Sequence, residues 1–397
     1  MPSVTSSLRL GILVAAGLIS ACSQPSPAQK AQGGGNVAMG SSPVATSSAP
    51  PLDTAHPDVA TASSAVPAAV VGAAAAAPPA DLPAAGVAIN QAVPPSALVV
   101  PASSVYTPAM VRLEVLLDRA GFSPGAIDGK DGENLRRALA AYAVAHGMTT
   151  RGLPDKALWD ALADGDAASA TQAYLITAAD VAGPFIGAPS KDYQALSKLP
   201  ALSYSSPEQL LAEKFHMSQP LLEALNPGAD FSKAGATILV AAPRPAGRDY
   251  QAARIEVDKG ANALRVYSAD GQLAAFYPAS VGSAERPAPS GAFTVKAVAP
   301  KPAYYYDPKR LTFAPEGATG RLKIAPGPNN PVGSTWISLS VATYGIHGSP
   351  DPNLVGKRQS HGCVRLTNWD AAELGKAVQK GVPVAFIGRE KKAGAKV

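Results

Sequence analysis

Apolar and polar positions alternate most clearly in the last third of the chain. Ala253 to Val257, Leu264 to Tyr267, Leu273 to Ser280 and Phe293 to Ala297 read as short strands. Trp336 to Leu339, Tyr344 to His347 and Val382 to Ile387 follow with the same character. Asp270-Gly271, between two of these runs, is a hairpin turn signal. One helix interrupts, opening at Thr367-Asn368-Trp369-Asp370 with capping-box spacing and burying Leu374 and Val378. The pattern predicts a β-rich, sandwich-like domain over residues 253–388, followed by a short basic tail, 389–397.

Upstream the period becomes helical. Thr107-Pro108 places a cap and a proline at a helix start, and Met110, Leu113 and Leu117 follow at helical spacing up to Gly121. Leu135, Ala138, Leu139 and Tyr142 mark a second helix, and Leu158, Trp159 and Leu162 a third after Pro154-Asp155. A small three-helix bundle is expected over 106–165. A linker, 166–200, leads to a small α+β unit over 201–243. There Ser206-Pro207-Glu208-Gln209 and Ser218-Gln219-Pro220 open two helices, and Thr237 to Val240 is a strand. His216 reads as a helix-end residue rather than a ligand.

The N-terminus adds a destination. Leu8 to Ala21 is an apolar run behind Arg9, too short for an ordinary membrane span and suited to a signal peptide, 1–21. It ends in Leu18-Ile19-Ser20-Ala21-Cys22, which resembles the lipobox of bacterial lipoproteins. That resemblance implies lipidation of Cys22, and Ser23 after it implies the outer membrane. Residues 22–105, rich in Ala, Pro, Ser and Gly, have too few large apolar side chains to offset ordering entropy, so a disordered tether is expected. The net charge of +5 has no long basic run, which argues against a nucleic-acid partner.

The chain holds two cysteines. With Cys22 taken by the anchor, Cys363 has no disulfide partner in an exported protein. It lies in HGSPDPNLVGKRQSHGCVRL, beginning at His347 and including His361. A thiolate is the reactive form of cysteine, and a nearby imidazole or cation favours it. His347 and His361 are both candidate bases, Arg365 adds positive field, and spacing does not choose between the histidines. In an extended strand His361 and Cys363 would share a face, with amides near Gly362 and Cys363 available to an oxyanion. Zinc binding by His347, His361 and Cys363, with Asp351 or water as the fourth ligand, matches no usual module. Ser360 is a weaker nucleophile than its neighbour, and an inert buried thiol suits this polar setting poorly.

Three resemblances give these residues a context. GPNNPVGSTWISLS, YGIHGSP and SHGCVRL, flanked by RPAPSGAFTV, TNWDAAEL and GVPVAFI, resemble the L,D-transpeptidase (YkuD) catalytic domain. LDRAGFSPGAIDGKDGENLRRAL resembles peptidoglycan-binding-like domains, and EKFHMSQPLLEALNP a LysM module. The first implies Cys363 as nucleophile and His347 as general base and acid, its ring oriented by the Gly348 carbonyl. It implies His361 and the Gly362 and Cys363 amides at the oxyanion, and Arg365, Ser360, Tyr344, Tyr305 and Asn330 at the substrate. The reaction implied is acyl transfer on peptidoglycan stem peptides, to a second stem or to a wall-attached protein. An L,D-carboxypeptidase using the same site, or a non-catalytic wall-binding scaffold, are the alternatives. No cofactor or metal is implied, because a thiol and an imidazole suffice. The expected location is the periplasm, through the lipid anchor.

Overall fold

A computed structural model describes residues 82–94, 106–150, 154–245, 249–283, 286–308, 320–358, 360 and 362–390. The signal segment, Cys22, most of the tether, His361 and the tail from 391 lie outside the described residues. Among those described, no helix is long and apolar enough to cross a membrane.

Part of the expected tether is a docked helix. In α1 (Ala84–Asn90), Ile89 is fully buried, and Gly86 sits so close to Leu239 that a Cβ would meet it at 2.9 Å. The Asn90 side chain accepts the Thr171 N–H at 3.0 Å. Two large apolar residues, Val87 and Ile89, two positions apart among small ones make no helical period, which is why the pattern read as tether.

Three helices follow, α2 (Pro108–Ala120), α3 (Glu133–Ala145) and α4 (Lys156–Asp164). Asp155 caps α4 by accepting the Leu158 N–H at 2.9 Å. Leu113, Leu117, Leu135, Leu139, Leu158 and Trp159 share one core, which also takes in Ala263 and Phe276 from the C-terminal domain. The Asp128-Gly129 turn is held from inside, both amides donating to the buried Glu114 carboxyl.

Next come β1 (Thr171–Leu175), α5 (Ala178–Val181), α6 (Tyr193–Leu196), α7 (Pro207–Lys214), α8 (Gln219–Leu225) and β2 (Thr237–Ala241). β1 pairs antiparallel with β2 and closes a small α+β unit around these helices. Its first strand therefore lies inside the segment read as linker. The pairing is non-local, so local periodicity carries no sign of it. Ser206 and Ser218 cap α7 and α8 through the Gln209 and Leu221 amides.

The C-terminal domain comprises β3 (Arg254–Asp258), β4 (Ala263–Tyr267), β5 (Leu273–Pro278), β6 (Gly291–Pro300), β7 (Tyr304–Tyr306), β8 (Leu322–Ile324), β9 (Thr335–Leu339), β10 (Gly345–His347), β11 (Val364–Arg365), α9 (Asn368–Ala377) and β12 (Pro383–Ile387). Eight strands form one mixed sheet in the order β11-β10-β9-β6-β12-β3-β4-β5, and β7-β8 is a separate ribbon. The domain is β-rich with one helix in its core, as expected, and the sheet curls until its edges meet, where Ser280 just beyond β5 bridges Arg365 of β11. Val266, Tyr277, Ile337, Ile346, Val364 and Leu374 of α9 accordingly share one core.

Buried ions lock the modules together. Arg244, following the small α+β unit, pairs with Asp118 of α2 and with Asp370 and Glu373 of α9. His216 lies 3.2 Å from Asp118 and stacks on Trp369 at 5.0 Å. Arg244 holds the Asp118 carboxyl at about 2 against the opposing effect of burial.

Candidate active site

The parallel pairing of β10 with β11 builds the site. Ile346 lies opposite Val364 and His347 opposite Arg365. Ile346 and Val364 face the core, so Gly345, His347 and Arg365 face the other side. Cys363, one residue before β11, falls beside Gly345 on that same side. Neighbouring strands stand about 4.8 Å apart, which puts the thiol and the imidazole on adjacent rungs.

Gly345 has two roles here. Its N–H reaches the Cys363 sulfur, and a Cβ on it would lie 2.5 Å from the Trp336 ring. Trp336, opposite His347 on β9, stacks on the imidazole at 5.5 Å and 22°. The His347 ring is 4% exposed, and its Nδ1 lies 2.7 Å from the Gly348 carbonyl. A carbonyl only accepts, so Nδ1 carries the hydrogen and Nε2 keeps its lone pair. Burial, reinforced by Arg365, lowers the imidazole to about 3, against the pull of the Gly348 carbonyl. Burial pushes the Cys363 thiol up, with the Gly345 N–H and Arg365 opposing. The resting pair is therefore a neutral thiol and a neutral imidazole. The thiol S–H is directed at the Thr343 carbonyl, 3.8 Å away.

The motif itself is a turn, not the expected extended strand. Ser360 Oγ donates to the Cys363 carbonyl at 2.5 Å and accepts the Gly362 N–H at 3.1 Å. Gly362 takes φ +126°, where a side chain would be strained and would press on the Tyr344 ring. Ser360 is thus a buried brace of the turn rather than a substrate contact. The Gly362 amide, expected at the oxyanion, is occupied by that brace. His361 lies outside the described residues, so the face it presents is not assigned.

Two further expected substrate contacts are placed elsewhere. Asn330 is fully buried, donating to the Ala325 carbonyl at 2.8 Å and accepting the Val332 N–H at 2.9 Å. Its side chain shapes the 325–332 loop. Tyr305 is 47% exposed with Lys323 over its ring. Strand alternation turns it away while Tyr304 and Tyr306 point inward against Tyr193, with centroids 5.9 and 6.0 Å apart. Burial raises Tyr304, and the neighbouring Tyr193 and Cys363 add to the effect. Tyr344 flanks the thiol from the other side, its hydroxyl donating to the Pro287 carbonyl at 3.3 Å.

Arg365 opens onto a cavity of about 780 Å³. Tyr193, Gln209 and Glu213 from the preceding unit and Asp351 and Arg358 from the catalytic loop line it as well. Burial raises the Glu213 carboxyl to about 7, against hydrogen bonds from Asn368 and Gln209. Among the described residues, no group of three His, Cys, Asp or Glu could hold a metal ion. Trp336, Gly345, Thr343 and Tyr193 were not foreseen from sequence. Trp336 could have been, since alternation along its strand puts it on the face of His347; Tyr193 carries no local signal.

The comparisons follow the same boundaries. A family profile described as the L,D-transpeptidase catalytic domain, YkuD, matches residues 252–385. The Bacillus licheniformis protein named as an L,D-transpeptidase YkuD is 31% identical over 179 residues, 45% of this chain and 92% of that protein. Its Bacillus subtilis counterpart is 40% identical over 78 residues, 20% of this chain and 48% of that one. A solved L,D-transpeptidase from Mycobacterium smegmatis is 22% identical with a TM-score of 0.29, over 39% of this chain and 64% of that one. The Bacillus licheniformis relative, matched over nearly its whole length, decides the assignment: this chain belongs to the YkuD family of L,D-transpeptidases.

Proposed function

We propose that the protein cross-links peptidoglycan through an acyl-enzyme on Cys363. The observation that carries this is the placement of Cys363 and His347 on one face of β10 and β11, with Nδ1 of His347 tied to the Gly348 carbonyl. The thiol turns from the Thr343 carbonyl toward Nε2, and the sulfur attacks the carbonyl carbon at the L-centre of the third stem residue. Its proton passes to Nε2, and the oxyanion is met by the Cys363 amide. Collapse breaks the C–N bond, Nε2–H protonates the departing D-alanine amine, and a thioester remains. An amine of a second stem, or of a wall-attached protein, then attacks the thioester. It gives its proton to Nε2, which returns it to the leaving sulfur. A second stem as acceptor yields a 3→3 link.

The cavity beside Arg365 supports a peptide substrate, since it offers cations, a carboxyl and amides together. The peptidoglycan-binding-like and LysM-like resemblances of the two preceding units suit the same polymer. From the Leu8–Cys22 sequence we place the enzyme in the periplasm, lipid-anchored, on the outer membrane.

The test is incubation of the soluble protein with a tetrapeptide-stem muropeptide, read by mass spectrometry beside Cys363→Ala. A dimer lacking one D-alanine is expected from the wild type and nothing from the variant. Free tripeptide would assign carboxypeptidase activity instead, and an inert wild type would sink both.

A further inference from the structure

The chain between His347 and Cys363 poses a mechanical difficulty. Parallel neighbours such as β10 and β11 are ordinarily joined by a crossover that packs a helix onto the sheet. Here the described residues between 348 and 363 carry one 3-10 turn, Pro352–Leu354. A long irregular connection keeps conformational freedom unless something outside it removes that freedom. The position of the thiol beside Gly345 depends on where this connection delivers the chain.

Two sets of contacts hold it. One comes from the catalytic sheet: Ser280 Oγ accepts the Gly356 N–H at 3.0 Å and donates to the Leu354 carbonyl at 3.4 Å. The other comes from the helical unit, more than two hundred residues earlier. Asn134, at the start of α3 and 5% exposed, donates from Nδ2 to the Val355 carbonyl at 2.9 Å. Arg137, one turn along, donates to the Gly356 carbonyl at 3.1 Å and to Asn134 Oδ1 at 3.0 Å. Lys357 reaches Asp128 at 3.3 Å.

The fit is steric as well as polar. Gly356 takes φ +74°, and a Cβ there would lie 2.4 Å from Asn134 Oδ1. Val355 beside it is buried. The helical unit is itself fixed to the sheet, with the Phe276 N–H donating to the Gly121 carbonyl and the Ser123 N–H to the Phe276 carbonyl. The loop is thus gripped by side chains mounted on a rigid support.

We infer that Asn134 and Arg137 are positioning residues for Cys363, and that the helical unit supports the active-site loop from behind. They touch no substrate. By fixing the Val355 and Gly356 carbonyls they set the point from which the chain turns through Ser360–Gly362 into β11. This inference rests on the acyl-transfer reading for its kinetic measurements, but not for its structural ones.

The test compares Asn134→Ala, Arg137→Ala and Arg137→Lys with Leu162→Ala. Leu162 is buried in the helical core and is not among the residues that grip the loop. Melting temperature, kcat and KM on the tetrapeptide-stem muropeptide, and the rate of tryptic cleavage after Lys357 and Arg358 are measured on each full chain. Asn134→Ala is expected to lower kcat about 10- to 100-fold with KM changed less than about twofold, as small misplacements of a reacting group do. Cleavage at Lys357 and Arg358 should speed up about tenfold in the same variant as the loop opens locally. Arg137→Lys should retain more kcat than Arg137→Ala. Leu162→Ala should lose as much thermal stability as Asn134→Ala or more, with kcat and loop cleavage near wild type. The inference is overturned if Asn134→Ala keeps its kcat and its tryptic rate, or if Leu162→Ala loses kcat alongside its stability. A wild type inert on muropeptide would sink the acyl-transfer reading instead, and the tryptic rates would then decide the grip alone.

Discussion

Two buried polar sites in this chain solve opposite problems. Around Arg244, one guanidinium meets Asp118, Asp370 and Glu373, all nearly solvent-free, and charge is held in place by charge. Around Cys363, burial keeps the pair itself uncharged even with Arg365 alongside, leaving a neutral imidazole beside a protonated thiol. The first arrangement gives fixed geometry between modules that have no sequence continuity. The second leaves a proton transferable over a short path, which a permanent ion pair would already have committed. Burial alone therefore does not make a site reactive; what differs is whether a counter-charge is supplied.

The contrast breaks first at its reactive end. His347→Gln should lower kcat by about 10²–10⁴-fold, the usual contribution of a positioned general base, while the melting temperature changes little near neutral pH. Arg244→Met should do the reverse. It removes the guanidinium that three carboxylates share and should cost about 3–5 kcal/mol in denaturant unfolding, with kcat of the folded fraction retained.

Acid sharpens the comparison further. His347 has its folded value depressed to about 3 from an ordinary 6.5, so the unfolded chain takes up its proton first and stability is lost as pH falls between those values. The wild type should lose about 1.4 kcal/mol per pH unit across that window relative to His347→Gln. Asp118 has the same sign but lies lower: its share of stability persists above 3.8 and goes only as pH approaches 2. Taking the difference between variants matters, because Glu213, raised to about 7, contributes with the opposite sign. The smallest effect belongs to Tyr305→Ala. Its ring points outward, and kcat/KM on the muropeptide should stay within about twofold, as at most surface positions.

The strands of the catalytic domain were legible because alternation is local. Their predicted limits fall within a few residues of β3, β4, β5, β9, β10 and β12, and the cap at Thr367 bonds the Asp370 amide at 3.1 Å. Cys363, His347 and His361 stood out as candidates from residue type alone. What failed to show were features made by distant pairing. β1 needs β2, β7 needs β8, and β11 is two residues long, too short for any period. Ser360 and Asn330 looked like substrate contacts because polar side chains near a motif read alike, whether they face a ligand or their own backbone. The hold of Asn134 on Val355 has no sequence signal at all, since it joins an ordinary helix start to an ordinary loop.

The placement of β12 has a consequence for how the domain is made. The last strand among the described residues sits in the interior of the sheet, antiparallel to β6 on one side and parallel to β3 on the other. Without Pro383–Ile387, β6 and β3 lose the strand between them, and β11-β10-β9-β6 and β3-β4-β5 are left joined through the Ser280–Arg365 bridge with unpaired inner edges. The catalytic domain therefore has no complete sheet until its final strand arrives.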